Sequence, residues 1–210
     1  MSPRPYRLGK RQAASEETRR RIIAAVRDLI MTESGAFSID AVAKQAGVAR
    51  MTVYYQFGSR VGLLEALFDT LGGRHFRSRL PNVMSEPEPL DSLAGLIDAF
   101  SSFWSAERLV TRRIRGMAAL DLDFEGSIRS RDERRRQILR AVLGRISQKH
   151  GKPAEGSFED ALDVLFALTS FATFDTLAGD ARTPEDVALL VQRLARLALG
   201  IDGAASSDGH

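Results

Sequence analysis

The sequence predicts an all-α fold, an N-terminal three-helix helix-turn-helix domain ahead of a larger helical domain. Three observations predict it. Apolar residues recur at helical spacing along most of the 210 residues. No alternating apolar–polar run flanked by hairpin-turn residues interrupts them. Gly47 separates two short helical stretches, as in two helices crossing at a tight turn.

Residues 1–14, with Pro3, Pro5, Gly9 and four basic residues, predict a flexible basic arm. Ser15 suits the N-cap of a first helix, with Glu16 and Glu17 favourably placed in its first turn. Ile22, Ile23, Val26, Leu29 and Ile30 share one face, and Gly35 is the expected stop. Ser38 caps a short helix over 39–46, and Gly47 breaks it. A second short helix runs from about Arg50 to Phe57, ended by Gly58. Ser59 caps a fourth, carrying Leu63, Leu64, Leu67, Phe68 and Leu71 and ended at the latest by Pro81. Residues 15–72 are the predicted helix-turn-helix domain, and Pro81–Pro89 is a predicted loop.

In the second domain, 73–201, Leu93 to Trp104 and Val110 to Ala118 mark two helices. "DLDFEG" (121–126) is a predicted link. Ile138, Leu139, Val142, Leu143 and Ile146 mark a long arginine-rich helix ending near Gly151. Phe158–Ala178 is predicted as one helix. Pro184–Leu199 is the last, with proline at a favoured first-turn position. Residues 202–210 are a predicted disordered tail.

Composition narrows the function. The chain has no cysteine, so disulfides, thiolate metal sites and cysteine nucleophiles are excluded. His75, His150 and His210 lack metal-ligand spacing, and there is no phosphate loop, nucleophile elbow or HExxH motif. No enzymatic activity and no cofactor are expected. The acids Asp121, Asp123 and Glu125 suit solvent, with a cation as the alternative. No run of about 18 apolar residues occurs and no secretory signal begins the chain, so a cytoplasmic protein with no membrane partner is expected. Net charge is +3, unevenly spread. Through Arg60 there are 11 basic and 5 acidic residues, a balance of +6 that leaves −3 for the remainder. A basic head on an acidic body suits a polyanion met by the head alone, or chance asymmetry of a solvated surface.

The stretch "GVARMTVYYQFGSR", Gly47 to Arg60, sharpens this. Ala43 is small where the second helix crosses, and Val42, Val48 and Val53 point inward. Arg50, Met51, Thr52, Tyr54, Tyr55 and Gln56 are left largely outward. A helix of this diameter fits a DNA major groove, where Arg50 suits guanine O6 and N7 and Thr52 a base edge or thymine methyl. Tyrosine and glutamine suit phosphates. Alternatives stand beside these roles: Tyr54 or Tyr55 as core aromatics, Arg50 on phosphate alone, and Lys10 and Arg11 as solubilising charge.

The first helix plus "FSIDAVAKQAGVARMTVYYQFGSRVGLLEALF" resembles the DNA-binding domain of the TetR family of transcriptional repressors, over about residues 15–71. The resemblance implies base and phosphate contacts from Arg50, Met51, Thr52 and Tyr54. It implies backbone contacts from Tyr55 and Gln56, a phosphate contact from Arg60, and a capping Ser38 that also touches phosphate. Ala49 departs from the usual capping serine or threonine, Gln56 from a frequent histidine, and Asp40 from a basic residue in some members.

The last two predicted helices are apolar beyond one packing face. A second copy of the chain would cover the excess through Leu162, Leu165, Ala172, Val187, Leu190, Val191, Leu194, Leu197 and Ala198. A larger internal core is the alternative, and the resemblance implies the dimer. Two recognition helices related by a two-fold axis would read a palindromic operator in double-stranded DNA. The resemblance also implies an unidentified small-molecule effector. Phe100, Phe103, Trp104, Met117, Leu120, Phe124, Phe166 and Phe174 are candidate pocket walls, with Thr169, Arg112 and Asp175 as polar contacts. Each also suits plain core. The run Arg129–Gln137 reads as a solvated helix face. The reading is a dimeric, ligand-released repressor. The alternative is a helical enzyme or interaction protein with an incidental helix-turn-helix.

Overall fold

A computed structural model of the chain describes residues 4–32, 37–151, 153 and 156–201, with side chains from Gln12 onward. The predicted tail at 202–210, residues 1–3 of the arm and the stop at Gly35 lie outside the described residues. Those described form eleven helices and no strand. They are α1 (Arg4–Ile30), α2 (Ile39–Ala46), α3 (Arg50–Phe57), α4 (Arg60–Phe76), α5 (Arg79–Ser85), α6 (Pro89–Ala106), α7 (Arg108–Ala118), α8 (Leu122–His150), α9 (Phe158–Leu168), α10 (Phe171–Ala178) and α11 (Pro184–Leu199). The chain divides into two compact units: Met1–Leu71 with Arg112–Ile128, and Gly72–Thr111 with Arg129–His210.

In the first unit, Ile22, Val26 and Ile30 of α1, Val42 of α2, Val53 of α3 and Leu63, Leu64 and Leu67 of α4 are fully buried. Ser38 caps α2 by accepting from the Ala41 amide at 3.1 Å. Gly47 closes α2 with φ 64°, in the left-handed region, where a side chain would be strained. Residues 112–128 join this unit through long-range contacts. Arg113 donates to the carbonyls of Ile30 (2.8 Å) and Thr32, satisfying the end of α1. Phe124 is buried and stacks on Phe37, with centroids 6.2 Å apart.

Helix α1 begins at Arg4, inside the stretch expected to be an arm. Pro5 falls in the first turn, where its missing N–H costs nothing, and the Arg, Lys, Gln and Ala that follow favour helix enough to carry Gly9. Ser15 is therefore mid-helix and not a cap. The link expected at 121–126 is mostly helix: Asp121 accepts from the amides of Asp123 (3.1 Å) and Phe124 (3.4 Å), capping α8 at Leu122.

In the second unit, α5, α10 and α11 pack on α6, and α9 packs on α11. The loop expected at Pro81–Pro89 starts inside α5. Pro81 sits in that helix's first turn, and Arg145 takes the carbonyls of Met84 (3.0 Å) and Glu86 at its end. The helix expected over Phe158–Ala178 is two, bent by 51°. Ser170 caps α10 from the Thr173 amide at 3.2 Å. The carbonyls freed at the break find side-chain donors: Trp104 reaches Thr169 (3.1 Å), Arg135 reaches Phe166 (2.6 Å) and Thr173 reaches Ala167 (2.6 Å). Arg135 is buried and also bonds the Thr169 hydroxyl at 2.7 Å, so the run Arg129–Gln137 is not wholly a solvated face. No single described helix is long and apolar enough to cross a membrane.

Candidate nucleic-acid interface

Helix α3 buries one residue fully and leaves Arg50, Met51 and Tyr55 exposed. Val53 is fully buried, Thr52 and Tyr54 are half-buried, and Arg50 is exposed. Met51 is 72% and Tyr55 89% exposed. Ala49 supplies no side-chain cap; its carbonyl accepts from the Thr52 amide at 2.9 Å, and the Arg50 and Met51 amides ahead of it suit solvent or a phosphate. Ser38 is exposed at the start of α2, its oxygen already accepting from Ala41 and its hydroxyl hydrogen still able to donate.

Arg50 is held from two sides. One guanidinium nitrogen donates to Asp40 on the first turn of α2 at 3.0 Å, and the other to the Tyr54 hydroxyl at 3.3 Å. The Tyr54 ring centroid lies 5.5 Å from the guanidinium carbon. The hydrogen bond with Tyr54 and then the charge of Asp40 raise the Arg50 pKa above its ordinary value, so the group stays fully charged.

Two residues expected at the interface are engaged elsewhere. Gln56 donates its side-chain amide to Ser15 at 2.9 Å, while its carbonyl accepts from Arg19 at 3.1 Å. Arg19 also lies 4.5 Å from the Phe57 ring centroid, so α1 ties down the end of α3. Arg60 is engaged within the first unit. Its guanidinium lies 5.0 Å from the Phe37 ring and 4.6 Å from the Phe124 ring, and donates to Asp121 at 3.4 Å. The structure therefore brings together Arg50 and Tyr54, adds Asp40, leaves Met51 and Tyr55 open, and turns Gln56 and Arg60 inward. Opposite charges ten residues apart were the signal for the Asp40 pair, readable once α2 and α3 are known to cross.

The expected effector site is partly reassembled. Phe100, Trp104, Thr169 and Phe174 line a cavity in the second unit with Ile97, Val187 and Val191. It has scarcely room for one water molecule. Phe103 packs instead on Trp104 (4.7 Å) and Phe76 (5.0 Å). Phe166 takes the Arg135 guanidinium, 4.0 Å from its centroid, and Asp175 pairs with Arg108. Met117, Leu120 and Phe124 belong to the first unit, and Leu120 is 92% exposed, so none of the three walls this cavity.

The residues expected at a dimer interface also sort into two sets. Leu162, Leu165, Val187 and Val191 are buried within the protomer, because α6, α9, α10 and α11 cover one another. They need no second chain. Leu190, Leu194 and Ala198 are half-buried, and Ala172 and Leu197 are exposed; Leu189, which widens the apolar stripe of the last helix, and Val164 are exposed as well.

Residues 22–67 match the family model for bacterial regulatory proteins of the tetR family. The HTH-type transcriptional regulator AlkX of Mycobacterium tuberculosis is 31% identical over 125 residues, covering 55% of this chain and 56% of that protein. The chain thus spans about half the length of the curated relative it matches. Among solved structures, a TetR-family regulator from Rhodococcus sp. has a TM-score of 0.70 at 17% identity, over 87% of this chain and 99% of that one. The regulator FadR of Bacillus subtilis, in complex with stearoyl-CoA, has a TM-score of 0.68 at 20% identity, over 83% and 96%. At these identities the structural likeness establishes the fold. The family match falls on the helix pair that presents Arg50, Met51 and Tyr55, so residues 22–67 are similar to bacterial regulatory proteins of the tetR family, and the shared fold extends along most of the remaining length.

Proposed function

We propose that the chain is a sequence-specific DNA-binding repressor, homodimeric on a palindromic operator and released by a small-molecule effector. DNA binding is assigned to residues 15–72, and effector binding and dimerisation to 73–201. The observation that carries the reading is the outward row on α3, where Arg50, Met51 and Tyr55 stand exposed while Val53, on the opposite side, is fully buried. A groove-entering helix needs that one-sided anchoring.

One eight-residue helix reads few base pairs. Two related by a two-fold axis read half-sites about one helical turn apart. The partly open apolar row of Leu189, Leu190, Leu194 and Leu197 on α11, with Val164 and Ala172 beside it in sequence pattern and exposure, favours a second copy as the cover. The effector is assigned to the cavity lined by Phe100, Trp104, Thr169 and Phe174. Its lining favours an apolar group, such as the acyl chain of the stearoyl-CoA that FadR binds. Because the cavity is nearly filled, an effector must rearrange its walls. That gives it a differential affinity for two states, as any release mechanism requires.

Selection of genomic fragments by the purified chain tests the reading, with the mass of the complex measured on the fragments recovered. A palindromic motif bound by two copies is expected. A monomer that enriches no sequence at low ionic strength would overturn it.

A further inference from the structure

Asp40 is an acid placed where a polyanion would approach. It lies on the first turn of α2, exposed, with its carboxylate 3.0 Å from Arg50 on the first turn of α3. The side chains of Arg50 and Asp40 are 56% and 64% exposed, so neither is there to fill a core. An exposed pair of this kind adds little to stability. We propose that Asp40 is a specificity-determining positioning residue, which neutralises Arg50 and directs its remaining donors to a guanine edge in preference to phosphate. The inference rests on the DNA-reading function above and deepens it.

The reasoning is a competition between two acceptors. An arginine at the start of a groove helix meets phosphate oxygens at every sequence and guanine O6 and N7 at one. Phosphate wins by charge and by the counterions it releases. Guanine wins by matching two parallel donors. A carboxylate on Arg50 cancels most of the first advantage and leaves the second intact. A guanidinium has five N–H donors; Asp40 and Tyr54 take one each, and guanine needs two of the three that remain. The two anchors and the Tyr54 ring also hold the plane of the group, so less side-chain freedom is lost when a base is met. Movement of Arg50 to a phosphate would either break the pair or bring the Asp40 charge up to the backbone, and both oppose it.

The test begins with an operator selected from random duplexes by the wild-type chain. Asp40→Ala, Asp40→Asn, Arg50→Ala and the Asp40→Ala/Arg50→Ala double variant are then titrated on the operator, on operators changed at each base pair, and on scrambled duplex, between about 50 and 200 mM salt. Asp40→Ala is expected to reduce the operator-to-scrambled ratio roughly tenfold, at the same base pair that Arg50→Ala affects. It should also steepen the log–log salt slope on scrambled DNA by about one. The double variant should discriminate no worse than Arg50→Ala. Asp40→Asn should move in the same direction and stands in if the alanine variant folds poorly. Equal tightening on operator and scrambled DNA, with base preference intact, would make Asp40 a merely repelling charge and overturn the inference. So would effects of Asp40 and Arg50 at different base pairs. Failure to enrich any duplex would sink the DNA-reading function itself, whereas an operator read without Asp40 would sink only this inference.

Discussion

Arg50 and Arg60 stand ten residues apart, each opens a helix, and each is paired with an aspartate, yet they have opposite surroundings. Arg50 sits on the exposed face of α3, its partners Asp40 and Tyr54 both reachable from solvent. Arg60 lies beside the stacked rings of Phe37 and Phe124 and pairs with Asp121, both charges partly covered. The difference teaches that the charge of an arginine does not by itself set its role. Its neighbours decide whether the charge stands open to solvent or helps to hold the unit together.

The largest effect expected from breaking this contrast is on the inner site. Phe124→Ala removes a fully buried ring that packs on Phe37 and on Arg60, and should cost about 3–5 kcal/mol of stability, read as a lowered melting temperature. A small shift would show that the Arg60 site is looser than its packing indicates. Next in size is Arg50→Ala, which should reduce operator preference roughly tenfold to a hundredfold with the melting temperature unchanged, measured by competition between operator and scrambled duplex. Arg60→Ala should lower stability by about 1 kcal/mol, since an ion pair and stacked rings of this exposure are each worth less than that or little more. Its salt dependence of DNA binding should match wild type; a slope flatter by about one would show Arg60 leaving Asp121 for a phosphate and would erase the contrast.

The smallest effect calibrates exposed pairs in general. Glu88 accepts from Lys149 (2.6 Å), His150 (2.7 Å) and the Leu90 amide (3.2 Å), which lower its pKa from 4.5 to about 2. A lowered carboxyl pKa contributes stability above the unfolded value and loses it as pH falls from about 4.5 toward 2. Glu88→Gln should therefore flatten acid unfolding in that window and remove the same increment of stability above about pH 4.5, an increment kept small because the cluster is solvated. A large loss at neutral pH would mean that exposed pairs on this chain, Asp40–Arg50 included, carry more stability than solvent screening allows.

Much of the fold was legible in local pattern. The bounds of α2, α3 and α11 follow from Ser38, Gly47, Gly58, Pro184 and Gly200, each acting on residues within one turn. The break between α9 and α10 was not legible, because Phe158–Ala178 keeps its helical apolar spacing across Thr169 and Ser170. Its donors come from elsewhere: Trp104 lies 65 residues away and Arg135 31 or 34. Similarly, the early start of α1 was hidden because Pro5 and Gly9 look like breakers until their positions in the helix are known.

The candidate site divides in the same way. By itself the sequence determined that a helix-turn-helix is present and that α3 has one inward residue, because periodicity, glycine turns and caps act over neighbouring residues. Only the tertiary structure decided that Asp40 holds Arg50, that Gln56 turns to Ser15 and that Arg60 is closed in by Asp121, 61 residues on. A side chain's partner is set by which surfaces meet when helices pack, and residues far apart in the chain leave no periodic trace of that meeting.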